Sequence, residues 1–140
     1  MIVTNAIDNK KSVDVIYLDM EKAFDRVDTG ILLKKVILSK YTKLYNVFFL
    51  QNFLTGRSQK VSVRECVSMS LPVLSGVPQG CIISPLLFNV FVNDIFSLAI
   101  LNKIKLFADD CKIVNLSELH FTLQSDLNVF CKWCEDNKMT

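Results

Sequence analysis

Three aspartates in this chain stand where short apolar runs end. Val13 to Leu18 is mostly apolar and rich in β-branched residues, follows Lys10 and Lys11, and stops at Asp19, which reads as a strand with both faces buried. Asp109 and Asp110 separate two further apolar runs, Ile104 to Phe107 and Cys111 to Val114. That pattern reads as a tight strand–turn–strand with two carboxylates at its tip. A sheet could bring all three aspartates together. Clustered carboxylates repel one another and hold their protons more tightly unless a cation sits among them. Mg²⁺ suits such a cluster, because it takes oxygen ligands, keeps some waters and accepts substrate phosphates for the rest. Two such ions roughly 4 Å apart stabilise both the attacking and the leaving oxygen of an in-line phosphoryl displacement. The competing reading is that aspartates at turns and strand ends cap nearby backbone N–H groups. Asp14, Asp25, Asp28 and Asp94 are read in that second way, as solvated or capping groups.

The elements around these positions can be drawn from periodicity and punctuation. Asp28 is placed to cap a helix in which Ile31, Leu32, the stem of Lys35, Val36 and Leu38 recur at helical spacing up to about Lys40. A second helix is expected from about Thr42 to Leu54, burying Leu44, Val47, Phe48 and Leu50 and stopping at a left-handed Gly56. Gln59 to Val63 alternates polar and apolar residues and Leu71 to Leu74 is again apolar, so a hairpin or pair of strands is expected there. Gly76-Val77-Pro78-Gln79-Gly80 is a loop by its glycines and proline. Ser84-Pro85 then opens a helix reaching about Phe96, with serine as the cap and proline in the first turn. Ser117 is placed to cap a last helix carrying Leu119, Leu123, Leu127, Phe130 and Trp133 inward. The order of elements predicts an α+β fold, an antiparallel sheet backed by helices. A chain of 140 residues is long enough for one such domain.

Composition excludes more than it selects. The mean hydropathy of +0.33 is high, yet every apolar run is broken before membrane-spanning length, as Asn89, Asn93 and Asp94 break Leu86 to Phe96. No membrane partner and no secretory signal are expected. A net charge of +2 is too small to argue for nucleic acid by itself. Five cysteines, with a C-x-x-C at Cys131 and Cys134 but only one histidine, His120, favour free structural thiols over a zinc or redox centre.

Specific motifs add what spacing cannot. Tyr17-Leu18-Asp19-Met20-Glu21-Lys22-Ala23-Phe24-Asp25 resembles motif A of reverse transcriptases. Ser75-Gly76-Val77-Pro78-Gln79-Gly80 with Ser84-Pro85-Leu86-Leu87-Phe88 resembles motif B, and Phe107-Ala108-Asp109-Asp110 resembles motif C. All three come in the family's order, and Phe130 to Met139 resembles the helix leading towards motif D in non-LTR retrotransposons. The resemblance covers nearly the whole chain from Val13 on.

What it implies is a polymerase palm with incomplete fingers and no thumb, acting as an RNA-directed DNA polymerase on an RNA template, a DNA primer and dNTPs. Asp19 and Asp109 would bind two Mg²⁺ ions, for which Mn²⁺ can substitute, with Asp110 the third acidic member. Phe24 would lie under the incoming sugar as a gate against a 2′-hydroxyl, the other reading being a core aromatic. Ala23 would let the sugar approach, and Pro78, Gln79 and Gly80 would contact nucleotide and template, Gly80 by lacking a Cβ. Arg57 and Lys60 are candidates for backbone phosphate. Cys81-Ile82-Ile83 is bulkier than the serine and small residue usual at that point of motif B. Fingers, motif D lysine, thumb and endonuclease are expected to lie outside these residues, so a fragment of a retrotransposon polyprotein, intracellular and inactive by itself, is expected. The alternatives are a non-catalytic truncated remnant and a group II intron maturase-type reverse transcriptase.

Overall fold

The computed structural model describes residues 4, 8–9, 12–39, 43–116 and 121–139. Along the chain run β1 (Asp14–Leu18), α1 (Ala23–Arg26), α2 (Thr29–Leu38), α3 (Leu44–Leu54), β2 (Ser58–Gln59), β3 (Ser62–Val63), β4 (Cys66–Val67) and β5 (Leu71–Pro72). Then come α4 (Ser84–Val92), a 3₁₀ turn (Asn93–Ser97), β6 (Lys103–Phe107), β7 (Asp110–Asn115) and α5 (Phe121–Asp136). The fold is α+β, and its contacts group into two compact units, Met1–Glu21 with Val92–Thr140, and Lys22–Phe91.

The first unit is built on a three-stranded antiparallel sheet in the order β1-β7-β6. Residues directly opposite in an antiparallel sheet share a face. Leu18, Cys111 and Leu106 therefore form one inward row, and Ile16, Ile113 and Ile104 the next. Cys111 and Ile113 are 1% and 0% exposed. The opposite face carries Tyr17, Lys112 and Lys105, with the Lys112 ammonium 4.9 Å from the Tyr17 ring centroid. Tyr17 is 70% exposed, so β1 is covered on one face and not on both as its composition suggested. The face is open at this end only, because Val114, which stands opposite Val15 and Lys103 on the same face, is 5% exposed.

Helix α5 packs on β7, and its buried Leu123, Phe130 and Trp133 form a stripe of helical period. Burying two such aromatic side chains contributes on the order of 2 to 3 kcal/mol each. The Trp133 indole N–H donates to the Asp94 carboxylate at 3.1 Å, so Asp94 acts as a partner for a buried ring. Ser117 and Leu119, expected at the start of this helix, lie outside the described residues.

Sequence alone gave no warning of Asp126. It sits in the middle of the apolar stripe at 0% exposure, and its carboxylate accepts from the backbone N–H of Leu101 (2.8 Å), the backbone N–H of Asn102 (2.9 Å) and the Asn102 side-chain amide (2.8 Å). A buried carboxylate is tolerated when several donors replace its water. This one pins the turn that feeds β6, and β6 leads to the aspartate tip.

In the second unit, α2 begins as expected, with the Asp28 side chain accepting from the Ile31 N–H at 2.9 Å. Leu32 and Val36 are its buried positions, while Leu38 is 76% exposed. Helix α3 buries Val47, Leu50 and Leu54, and Gly56 takes the left-handed φ of 67° that ends it. Phe48 is 60% exposed, a correction: it lies next to the Val47–Leu50–Leu54 row, about 100° round the helix from Val47. Leu87, Phe88 and Phe91 of α4 complete this core. The Lys35 ammonium donates to the Phe91 carbonyl at 2.6 Å and stands 4.4 Å from the Phe91 ring centroid. A cation is thus held at the C-terminal end of α4, where the helix dipole favours it. The helix is shorter than its apolar pattern suggested, tightening into the 3₁₀ turn at Asn93.

Candidate active site

Each unit carries one group of the candidate residues. In the first, the last pair between β1 and β7 is Leu18 opposite Cys111, so the next step along the register sets Asp19 across from Asp110. Asp110 is also paired with Phe107 of β6. Antiparallel partners have Cα atoms about 4.5 to 5.5 Å apart, which puts Asp19 and Asp110 at neighbouring strand ends. Ala108 and Asp109 are the two residues of the turn, with Ala108 at φ 53°. A non-glycine residue there is strained by about 1 kcal/mol. Asp19 and Asp110 are exposed and Asp109 is half-buried.

The backbone positions of all three aspartates therefore lie at one end of one sheet. Among the described residues no three His, Cys, Asp or Glu side chains form a group able to hold a metal ion. What the chain offers is an open, acidic strand end. That donor set fits Mg²⁺, which is commonly held by one or two carboxylates with waters and substrate phosphates completing its shell.

In the second unit, α1 and the loop between β5 and α4 are joined backbone to backbone. Gly76 N–H donates to the Val27 carbonyl (2.8 Å) and Val77 N–H to the Phe24 carbonyl (2.9 Å), while the Ser75 hydroxyl donates to the Asp25 carbonyl (2.8 Å). A Cβ on Gly76 would come within 2.8 Å of the Asp25 Cα, and its φ is 85°. Only glycine meets both demands. Arg57 closes the loop from the other side, its guanidinium donating to the carbonyls of Leu54 (2.9 Å), Ser75 (3.3 Å) and Gly76 (2.5 Å). Arg57 is thus engaged with the protein's own carbonyls, a correction to its reading as a phosphate contact.

This joint frames an open pocket of about 540 Å³ lined by Phe24, Gln79, Gly80, Cys81, Ile82, Ser84 and Pro85. Phe24 is half-buried, its ring stacked on Phe88 with centroids 4.6 Å apart. Gln79 is exposed and its side-chain amide donates to the Asp25 carboxylate at 2.9 Å. Gly80 has φ 79° and nothing within 4 Å of where a Cβ would stand, so its conformation requires glycine and the space beside it is empty of protein. Pro78 is half-buried and its carbonyl accepts from the buried Ser84 hydroxyl. Ser84 therefore ties the loop down as a donor and does not cap α4 as expected. Ala23 is 3% exposed and packs inside the unit, outside the pocket lining, so it bears on the pocket only through the helix it begins. The bulky Cys81 and Ile82 form part of the pocket wall, with Ile82 fully exposed.

Three residues of this joint had no functional reading in the sequence: Gly76, Ser75 and Asp25. A glycine directly before Val-Pro was the available signal for the first. The other two had none, because their partners lie about fifty residues away.

Comparison with known proteins shows the family. Residues 3–140 match the family described as Reverse transcriptase (RNA-dependent DNA polymerase), and the chain belongs to that family. It is 32% identical over 144 residues to the probable RNA-directed DNA polymerase from transposon BS of Drosophila melanogaster, covering 95% of this chain and 16% of that protein. It is also 32% identical over 142 residues to the RNA-directed DNA polymerase from mobile element jockey of the same species, covering 94% and 15%. A third relative, the probable RNA-directed DNA polymerase from transposon X-element, is 30% identical over 115 residues, covering 77% and 12%. The chain spans about a sixth of the length of the first two curated relatives.

Proposed function

We propose that this chain is the palm segment of an RNA-directed DNA polymerase of a non-LTR retrotransposon. In this reading it extends a DNA primer on an RNA template with deoxynucleoside triphosphates, working as part of a longer polyprotein. The observation that supports the reading is that Asp19 directly follows the last β1–β7 pair, Leu18 opposite Cys111, at the sheet end that carries the Asp109–Asp110 turn, within a chain matched along almost its whole length by the reverse transcriptase family. The length of the relatives supports the polyprotein, since each is about six times longer than this chain.

Asp19 and Asp109 would hold two Mg²⁺ ions, with Asp110 adding negative charge beside them. Bound there, the ions would neutralise phosphate charge and favour the deprotonated primer 3′-hydroxyl. The exposure of Asp19 and Asp110 suits this role, because the incoming phosphates need an unobstructed approach. Phe24 would take its place beneath the sugar. Its ring cannot drop away, since Phe88 supports it from behind, so a 2′-hydroxyl meets a fixed surface. Gln79 offers its amide to the nucleotide, and Gly80 leaves the room beside it that any side chain would take.

The test is primer extension by the complete polyprotein containing this segment, supplied with primed RNA, dNTPs and Mg²⁺ or Mn²⁺. Extension is expected, and Asp19→Asn or Asp109→Asn should each lower it at least about a thousandfold, on the order of 4 kcal/mol of barrier. Both variants should melt within a few degrees of the parent, since neither aspartate is buried. Full activity in Asp109→Asn would sink the assignment.

A further inference from the structure

The hydrogen bond between Gln79 and Asp25 joins a residue of the pocket to one that the proposed mechanism does not use. Asp25 follows Phe24 on α1, and three of its groups meet the opposite loop: its carbonyl accepts from Ser75, its Cα is the surface against which Gly76 fits, and its carboxylate accepts from Gln79. The last of these involves side chains alone. A glutamine amide has a donor end and an acceptor end that are nearly the same size, and only its partners decide which end faces a ligand. A carboxylate can only accept, so it fixes the amide with its nitrogen towards Asp25.

We propose that Asp25 is a positioning residue that sets the orientation of the Gln79 amide, and thereby decides which hydrogen-bonding group the pocket presents to a nucleotide. The proposal rests on the polymerase reading above for its ligand, and on the Gln79–Asp25 bond for its geometry. With one N–H engaged by Asp25, the amide carbonyl and the second N–H remain for the ligand. Without Asp25, the amide is free to turn, and part of each binding event goes into ordering it. The loss should fall on nucleotide binding, because the groups that hold the metal ions are untouched.

Single-nucleotide insertion by the complete polyprotein, measured for Asp25→Ala, Asp25→Asn, Gln79→Ala and the Asp25→Ala/Gln79→Ala pair, tests this. Asp25→Ala is expected to raise KM for the dNTP roughly three- to tenfold with kcat changed less than twofold, an effect the size of one ordinary hydrogen bond at an exposed site. Asp25→Asn presents a donor as well as an acceptor, so it no longer decides which end of the Gln79 amide faces it and should be nearly as impaired as Asp25→Ala. The pair should match Gln79→Ala alone, since a residue acting only through Gln79 has nothing left to act on. Multiplying losses in the pair, or an Asp25→Asn variant with the parent's KM, would overturn the proposal. If the parent inserts no nucleotide, the polymerase reading fails by itself. The orientation is then read from the Gln79 side-chain amide resonances of the 140-residue chain: a shift on Asp25→Ala supports it, and unchanged resonances overturn it.

Discussion

The ring of Phe24 lies on that of Phe88 with centroids 4.6 Å apart and planes 14° from parallel, and Phe88 itself has no exposed surface. A side chain backed in this way has one height above the pocket floor. Phe24→Val should therefore relax sugar choice, raising the ratio of ribonucleotide to deoxynucleotide insertion roughly tenfold or more. Phe88→Leu should relax it less, because the Phe24 ring remains but its support is softer. Steady-state insertion ratios check both, and an unchanged ratio in Phe24→Val would reduce Phe24 to a packing residue.

Gly76→Ala should be among the most damaging single-methyl additions in the chain. The new Cβ would sit 2.8 Å from the Asp25 Cα and carbonyl oxygen, both backbone atoms, at a φ of 85°. Neither can move without pulling α1 from the loop. A loss of about 3 kcal/mol or more is expected, read as a drop in thermal midpoint. Gly80→Ala meets no protein atom within 4 Å and should cost only about 1 kcal/mol from its φ of 79°, so a stable Gly80→Ala protein with poor nucleotide insertion is expected beside it.

Removing the Asp126 carboxylate leaves two backbone N–H groups and the Asn102 amide without their acceptor. Asp126→Ala should destabilise by about 3 to 5 kcal/mol. Asp126→Asn, which retains one acceptor oxygen, should lose less. Hydrogen exchange at Leu101 and Asn102 would report the release of that turn directly.

Burial pushes the Cys111 thiol up to about 11, with a further push from the nearby Cys134. Cys134 is also raised to about 11, by burial first and then by Cys131 and Glu135. An unfolded chain loses these protons near pH 9, while the folded chain keeps them until about 11. The unfolded state therefore binds fewer protons across that window, and folding stability falls as pH rises through it. The stabilising contribution is fully present below pH 9. Discounted for partial solvent screening, the loss is on the order of 1 kcal/mol per thiol. Urea midpoints at pH 8 and pH 11 measure it, and alkylation at pH 8 should mark exposed Cys66 and Cys131 well before Cys111 and Cys134.

The elements were most legible where local signals were strong. The Asp28 cap, the stop at Gly56 and the 103–115 hairpin each depend on residues within a few positions of one another, and each stands as expected. The strand ending at Asp19 and the paired strands between Gln59 and Leu71 were legible for the same reason. Side-chain environments were less so. Tyr17, Phe48 and Asp126 each contradict the side that polarity alone assigns them, because what covers a position is decided by distant elements. Ser84 and Arg57 carry the types expected at a helix cap and a phosphate site, yet both bond carbonyls of the loop at 75–78. The candidate site was legible as a list of residues. Its wiring was not, since the bonds of Asp25 to Ser75 and Gln79 join segments some fifty residues apart.

Ala108 holds a φ of 53° immediately before Asp109. That one angle restricts the mutational routes open to the hairpin tip. Replacement by glycine would release about 1 kcal/mol of strain, and replacement by valine or isoleucine would add to it, since a branched Cβ crowds the carbonyl further. Sequence drift at this position is therefore one-sided, favouring the smallest side chains. A laboratory selection for heat resistance should accumulate Ala108→Gly, and the gain would come with a looser turn beside Asp109.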